Sequence, residues 1–279
     1  MSKVKIGVCE WALPTLGPYS IKLSHELGFD GLQLTDLQGY SYQYPLKNKY
    51  IQNAYLEYAR EYNQTLASLH MRSIYQDKTM LSEKGSSKSE QARLTIKKDI
   101  EVSAEMNIPV VMLTAIIPMD DKQAFINAAE HIKYACDVAH DKGIICTMET
   151  SLPNNQIYEM VELTKGKLRI CFDTCNPYIY DMGIPSEMLA EMLQKTPNLI
   201  EHYHVKDTKK EDFLCGHPAP CKTGEGDSHL ETTAEIVRNS KFEGWVISEV
   251  YYHAKPINDN GNFVEIAKED VMTIRNYFS

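Results

Sequence analysis

Eight short runs of β-branched and apolar residues, each followed by a longer stretch with apolar residues three or four apart, predict an α/β protein, a single-domain (β/α)8 barrel spanning residues 1–279. Near-continuous apolar runs are what a parallel sheet needs when helices cover it. The alternative, an open doubly wound sheet, finds no support: no GxGxxG follows the first run, no Walker loop occurs, and no low-complexity linker divides the chain.

In order, VKIGVCE (4–10) is the first strand, and SIKLSHELG (20–28) the helix that Gly28 closes. GLQL (31–34) precedes a helix over 47–63, in which Ile51, Tyr55 and Tyr58 share a face. LASLHM (66–71) leads to a long helix over 87–107 with Ile96 and Ile100. VVMLTAI (110–116) leads to 122–143, where Ala128, Ile132 and Ala135 repeat at helical spacing and Gly143 stops the run. IICTMET (144–150) precedes NNQIYEMVELTKG (154–166), and LRICFDT (168–174) precedes PSEMLAEMLQKT (185–196), which opens on a helix-starting Pro185. IEHYHVKD (200–207) is followed, after a long loop, by LETTAEIVRNS (230–240). WVISEVY (245–251) is followed by NFVEIAKEDVMTIRNYF (262–278).

The net charge is −9, with 38 acidic against 29 basic residues and the basic ones scattered, which excludes the positive stripe of a nucleic-acid binder. The seven cysteines form no CxxC pair. Cys9, Cys146 and Cys171 lie inside apolar runs and read as reduced core thiols of a cytosolic protein. In CGHPAPC, Cys215, His217 and Cys221 fall short of a structural zinc set and read as plain loop residues. The N-terminus enters a strand directly and no apolar run reaches 18 residues, so a soluble, untargeted, cytoplasmic protein without membrane association is expected.

Two loops break the regularity. Residues 208–229, with Gly216, Gly224 and Gly226, are too many for an ordinary connection and are expected to form a lid over the site. The tyrosines of SYQYPLKN (41–48) are candidates for a pocket wall.

The strand ends pose a question of their own, because the apolar run of IICTMET stops at a carboxylate. In a barrel the carboxyl ends of the strands converge on one face. Late strands end on TMET with Glu149, CFDT with Asp173, HYHVKD with His204 and ISEVY with Glu249. Three carboxylates brought close together push one another's pKa upward unless a cation lies among them. One divalent ion is therefore expected. Oxygen ligands with one imidazole are moderately hard, which favours Mn²⁺, Mg²⁺, Co²⁺ or Zn²⁺ without choosing among them, and Mn²⁺ is the ion expected.

The chain also resembles the xylose isomerase-like TIM-barrel sugar isomerases and epimerases, through GVCEWALP, LGFDGLQL, MET, FDT, HVKD, TGEGD and FEGWVISEV. The resemblance, which takes in sugar phosphate isomerases and epimerases and ketose 3-epimerases, implies one divalent ion on Glu149, Asp173, His204 and Glu249, with Glu149 and Glu249 also moving the substrate proton. It implies a sugar isomerase or epimerase acting on a ketose or sugar phosphate through a metal-stabilised enediolate. Asn176, where many epimerases of the family have His, is a departure that bears on contacts around the carbonyl. A DNA-repair role like that of endonuclease IV is disfavoured, since its additional histidines are missing and Asp227 with His229 is a coincidental DxH.

Candidates for substrate contact are Glu10, Trp11, His70, Asn155, Asn176 and Lys222. Trp11 offers a stacking face, and GEGD or Lys222 offers a phosphate contact. Lys206, beside His204, is expected to turn toward the helix layer because alternate strand residues face opposite sides. Two other readings stay open: a lyase or dehydratase of the same family (inositol-type or dehydroshikimate-type dehydration, C-glycoside cleavage), and a non-catalytic sugar-binding barrel. So do the sugar, its phosphorylation and homo-oligomer formation.

Overall fold

The computed structural model describes residues 4–37, 43–118, 120–211, 221–258 and 261–279. Its strands are β1 (Lys5–Cys9), β2 (Gly31–Thr35), β3 (Thr65–His70), β4 (Val110–Ala115), β5 (Ile145–Thr150), β6 (Leu168–Asp173), β7 (Ile200–Val205) and β8 (Trp245–Ser248). They form a closed parallel barrel in chain order. Registers run from Gly7↔Gly31 to Cys9↔Gln33, from Val110↔Ile145 to Ala115↔Thr150, and from His202↔Trp245 to Val205↔Ser248. The pairing Lys5↔Trp245 to Val8↔Ser248 returns β8 to β1.

The helices are α1 (Tyr19–Leu27), α2 (Lys49–Glu61), α3 (Arg72–Gln76), α4 (Ser87–Glu105), α5 (Lys122–His140), α6 (Asn154–Leu163), α7 (Asn176–Ile179), α8 (Pro185–Lys195), α9 (Leu230–Asn239) and α10 (Phe263–Phe278). Local chemistry sets their ends. Ser86 caps α4 by accepting from the Ser89 N–H, Asp121 caps α5 by accepting from Ala124, and Gly28 ends α1 in the left-handed region at φ 95°. The eight expected strands and the eight long helices are all present. The short helices α3 and α7 escaped the sequence because four or five residues hold too little periodicity to read.

By contact density the chain forms two compact units. One is Met1–Gln33 with Tyr58–Thr65 and Phe172–Ser279; the other is Leu34–Glu57 with Leu66–Cys171. The first buries Ile6, Val8, Tyr203, Val205, Val246, Ile247 and Ile274, and the second buries Leu69, Ile100, Val111, Leu113, Ile132 and Met148. The six described cysteines, Cys9, Cys136, Cys146, Cys171, Cys175 and Cys221, are buried and free of disulfides, and for Cys9, Cys146 and Cys171 this is the core placement expected; Cys215 and His217 lie outside the described residues. Among the described residues no helix is long and apolar enough to cross a membrane.

Candidate functional site

In the first unit the ends of β6, β7 and β8 present three polar side chains to one point. Asp173 closes β6, and its Oδ1 accepts the backbone N–H groups of Cys175 and Asn176, both at 2.7 Å. That fixes the carboxylate and aims Oδ2 elsewhere. His204 lies one residue before the end of β7, and its side chain is fully buried. Its Nε2 is 2.6 Å from the amide oxygen of Gln33, which also accepts from the Cys9 thiol at 3.6 Å. An amide oxygen only accepts, so Nε2 carries a ring proton toward Gln33, and in the neutral imidazole the lone pair is then on Nδ1. Nδ1 lies 3.8 Å from Glu249 Oε2.

Glu249 follows the last residue of β8 and continues the ladder, its N–H donating to the Val205 carbonyl at 2.9 Å. Its two oxygens are held separately: Oε1 accepts from the Trp11 indole Nε1 at 2.9 Å, and Oε2 accepts from the Lys206 ammonium at 2.6 Å. One ligand atom from each of Asp173, His204 and Glu249 lies within 4.8 Å of the others.

In the second unit Glu149 is the penultimate residue of β5 and is buried. Thr114 pairs with it in register, and its hydroxyl donates to Glu149 Oε2 at 3.1 Å. That leaves the threonine oxygen to accept from His70 Nε2 at 3.0 Å. His70, Thr114 and Glu149 thus form a directed chain from β3 through β4 to β5, which fixes the orientation of the carboxylate. Asp36, just past β2, is anchored on Ser73 through the backbone N–H at 3.0 Å and the hydroxyl at 2.5 Å.

The remaining sequence candidates fall into different surroundings. Glu10 is fully buried and its Oε1 accepts from Gly17 N–H at 2.9 Å and the Ser20 hydroxyl at 3.0 Å, tying the end of β1 to the start of α1. Trp11 reaches Glu249 as described. Asn176 is buried at the start of α7 with its N–H on Asp173. Asn155 is exposed on the first turn of α6, beside a buried Asn154. Lys222 pairs with Glu269 of α10 at 3.1 Å. Tyr44 hydrogen-bonds Gln91 at 2.7 Å and Thr95 at 3.2 Å on α4, so this tyrosine of SYQYPLKN is a packing residue; residues 41 and 42 lie outside the described ones.

Two expectations are corrected. Lys206 does not turn to the helices: its Nζ lies 2.6 Å from Glu249 Oε2 and 3.0 Å from Asp173 Oδ2. Residues 204 and 206 are two apart, and residues two apart on a strand share a face. The GEGD backbone does not offer its amides to a phosphate. Gly224 and Gly226 donate to Asp207 Oδ2 at 3.0 and 2.9 Å, and the Ser228 hydroxyl donates to Asp207 Oδ1 at 2.6 Å. A Cβ on Gly226 would stand 2.2 Å from Asp207 Oδ1, so only glycine fits. The expected lid, 208–229, is described only outside 212–220. Its described end is pinned by Asp207 and by Asp270, which accepts the N–H and hydroxyl of Thr223 at 2.8 and 3.0 Å.

Sequence reading missed Gln33, Thr114 and Lys206 as members of this polar framework. Gln33 lies in an apolar strand, where a polar residue facing inward is a legible signal. Thr114 carried no signal beyond strand propensity.

The donor set fits a divalent cation: two carboxylates of fixed orientation and an imidazole whose Nδ1 lone pair faces them. Lys206 supplies the positive charge these carboxylates demand in this structure.

The curated 2-epi-5-epi-valiolone 7-phosphate 2-epimerase of Actinoplanes sp. is 24% identical over 239 residues, 85% of this chain and 83% of that protein. The structure of D-psicose 3-epimerase from Clostridium cellulolyticum H10 superposes with a TM-score of 0.75 at 14% identity, covering 99% of both chains. That of 3-keto-D-glucoside 4-epimerase from E. coli superposes with a TM-score of 0.71 at 13% identity, covering 98% of this chain and 99% of that one. The sequence model of the family described as "Xylose isomerase-like TIM barrel" matches residues 21–277. With eight parallel strands closed into a barrel and a match across nearly its whole length, the chain belongs to the xylose isomerase-like TIM-barrel family.

Proposed function

We propose that the protein is a divalent-metal-dependent epimerase or isomerase of a ketose or sugar phosphate, with Glu149, Asp173, His204 and Glu249 as metal ligands and the two glutamates as proton carriers. The observation that carries the reading is the convergence of Asp173, His204 and Glu249 within 4.8 Å, with the histidine tautomer set by Gln33. The names of that relative and of the two structures described above, each an epimerase, support it.

When bound, the cation supplies positive charge against a substrate carbonyl and its neighbouring hydroxyl, which acidifies the adjacent carbon. The side chains do the rest. Asp173 and His204 are ligands only, since one is fixed by two backbone N–H groups and the other by Gln33. Glu149, held by the Thr114 hydroxyl, takes the proton from one face, and Glu249, held by Trp11, returns it on the other. The roles exchange with the direction of reaction. Manganese is the ion proposed, one of several that carboxylates with one imidazole suit.

The test is incubation of Mn²⁺-loaded protein with a panel of free and phosphorylated ketoses in D₂O, read by NMR and mass spectrometry. Deuterium incorporation with inversion or carbonyl shift is the expected result. Release of water or an aglycone makes the protein a lyase, and binding without exchange across the panel makes it a sugar-binding barrel.

A further inference from the structure

Lys206 Nζ lies against one oxygen of Asp173 and one of Glu249, the two carboxylates that cluster with His204. Asp173 Oδ1 is committed to Cys175 and Asn176, so Oδ2 is its outward atom, and Lys206 Nζ lies 3.0 Å from it. Glu249 Oε1 is committed to Trp11, so Oε2 is its outward atom, 2.6 Å from the same ammonium and 3.8 Å from the lone-pair nitrogen of His204. The three charged side chains are only 2–12% exposed, so solvent screens them little. A buried ammonium shared by two carboxylates balances charge that is otherwise repulsive.

We propose that Lys206 is the built-in counter-ion of the metal site: it holds the ligand-side oxygens of Asp173 and Glu249 in place before a divalent cation arrives, and a cation must displace it to bind them. This rests on the metal reading above. Lys206 is thus a positioning residue with two opposed effects. It stabilises the metal-free protein, and it weakens metal binding because part of the cation's attraction goes into displacing an existing charge. A residue needed only for packing would lower both stability and affinity when replaced.

The experiment compares wild type, K206M and K206R after chelation, by thermal unfolding and by calorimetric titration with Mn²⁺ alone. K206M is expected to melt lower without metal and to bind Mn²⁺ about tenfold tighter or more, the size expected for loss of a competing charge at close range. K206R, which keeps the charge, is expected to retain wild-type metal-free stability. Should K206M not fold without metal, recovery of a folded circular-dichroism signal on adding Mn²⁺ supports the proposal, and failure to recover it overturns it. Unchanged or weaker Mn²⁺ binding by K206M, with normal uptake by wild type, overturns the role of Lys206 alone. No uptake by wild type overturns the metal reading, and the displacement with it.

Discussion

At the scale of single residues, the two glutamates carry the sharpest test. Glu149→Gln and Glu249→Gln are each expected to lower turnover by roughly a thousandfold, the range that general acid–base groups supply. Each variant retains solvent-deuterium exchange from one epimer only, because one base suffices for exchange. Near wild-type epimerisation by Glu249→Gln reduces Glu249 to a ligand. Trp11→Phe removes the indole N–H from Glu249 Oε1 without emptying the space, and is expected to lower kcat by about tenfold, the worth of a hydrogen bond to a charged acceptor. Asp99 offers a test of stability away from the site. It is buried on α4, its Oδ2 has no hydrogen-bond partner among the described residues, and burial first and then the Asp36 charge push its pKa well up, against a smaller opposing effect of Lys98. A raised carboxyl keeps its proton in the folded state after the unfolded chain has lost it. Stability therefore falls as pH rises from about 3.9, the unfolded value, until the folded value is passed. Asp99→Asn is expected to remove that slope and to be more stable than wild type at neutral pH, read by urea unfolding across pH 3–8.

At the scale of elements, the turn after β7 illustrates how one carboxylate organises a segment. Asp207 collects N–H and hydroxyl donors from Thr208, Gly224, Gly226 and Ser228, which shapes the described end of the loop entering α9. Gly226→Ala puts a methyl 2.2 Å from Asp207 Oδ1 and 2.6 Å from the Thr208 nitrogen, where neither neighbour can give way. It is expected to destabilise the protein by roughly 1–3 kcal/mol in denaturant unfolding, as overpacking does. Asp207→Asn is expected to cost a similar amount by weakening charge-assisted bonds. If both variants unfold like wild type, the cradle is incidental to the fold. Within the second unit, His70→Ala is expected to raise KM more than it lowers kcat, because Thr114 still donates to Glu149; an equal loss in kcat makes the His70–Thr114–Glu149 chain part of the chemistry.

At the scale of the whole molecule, a cation that binds only the folded chain stabilises it by mass action, about 2.7 kcal/mol at a hundredfold excess over Kd. Chelation is therefore expected to lower the melting temperature by roughly 5–11 °C at the few degrees per kcal/mol typical of chains this long, and added Mn²⁺ to restore it. An unchanged melting curve shows that no resident ion contributes. The barrel is where such a link between chemistry and stability would arise, because the residues proposed as ligands stand at the ends of strands whose hydrogen bonds are the fold.

The amino-acid sequence determined the number, order and approximate bounds of the strands, because apolar period and helix-stop glycines are local properties of a dozen residues. It also marked Glu149, Asp173, His204 and Glu249, since a charged or imidazole side chain at the end of a buried run is itself an anomaly. Tertiary structure decided what those residues touch. Gln33 and His204 are 171 residues apart, and Trp11 and Glu249 are 238 apart. No local pattern couples such positions, so the histidine tautomer, the Thr114 bridge to Glu149 and the ammonium of Lys206 between two carboxylates exist only once the chain has folded. The GEGD amides follow the same rule. In the sequence they look available to a phosphate, and in the fold Asp207, 17 residues before Gly224, has already taken them.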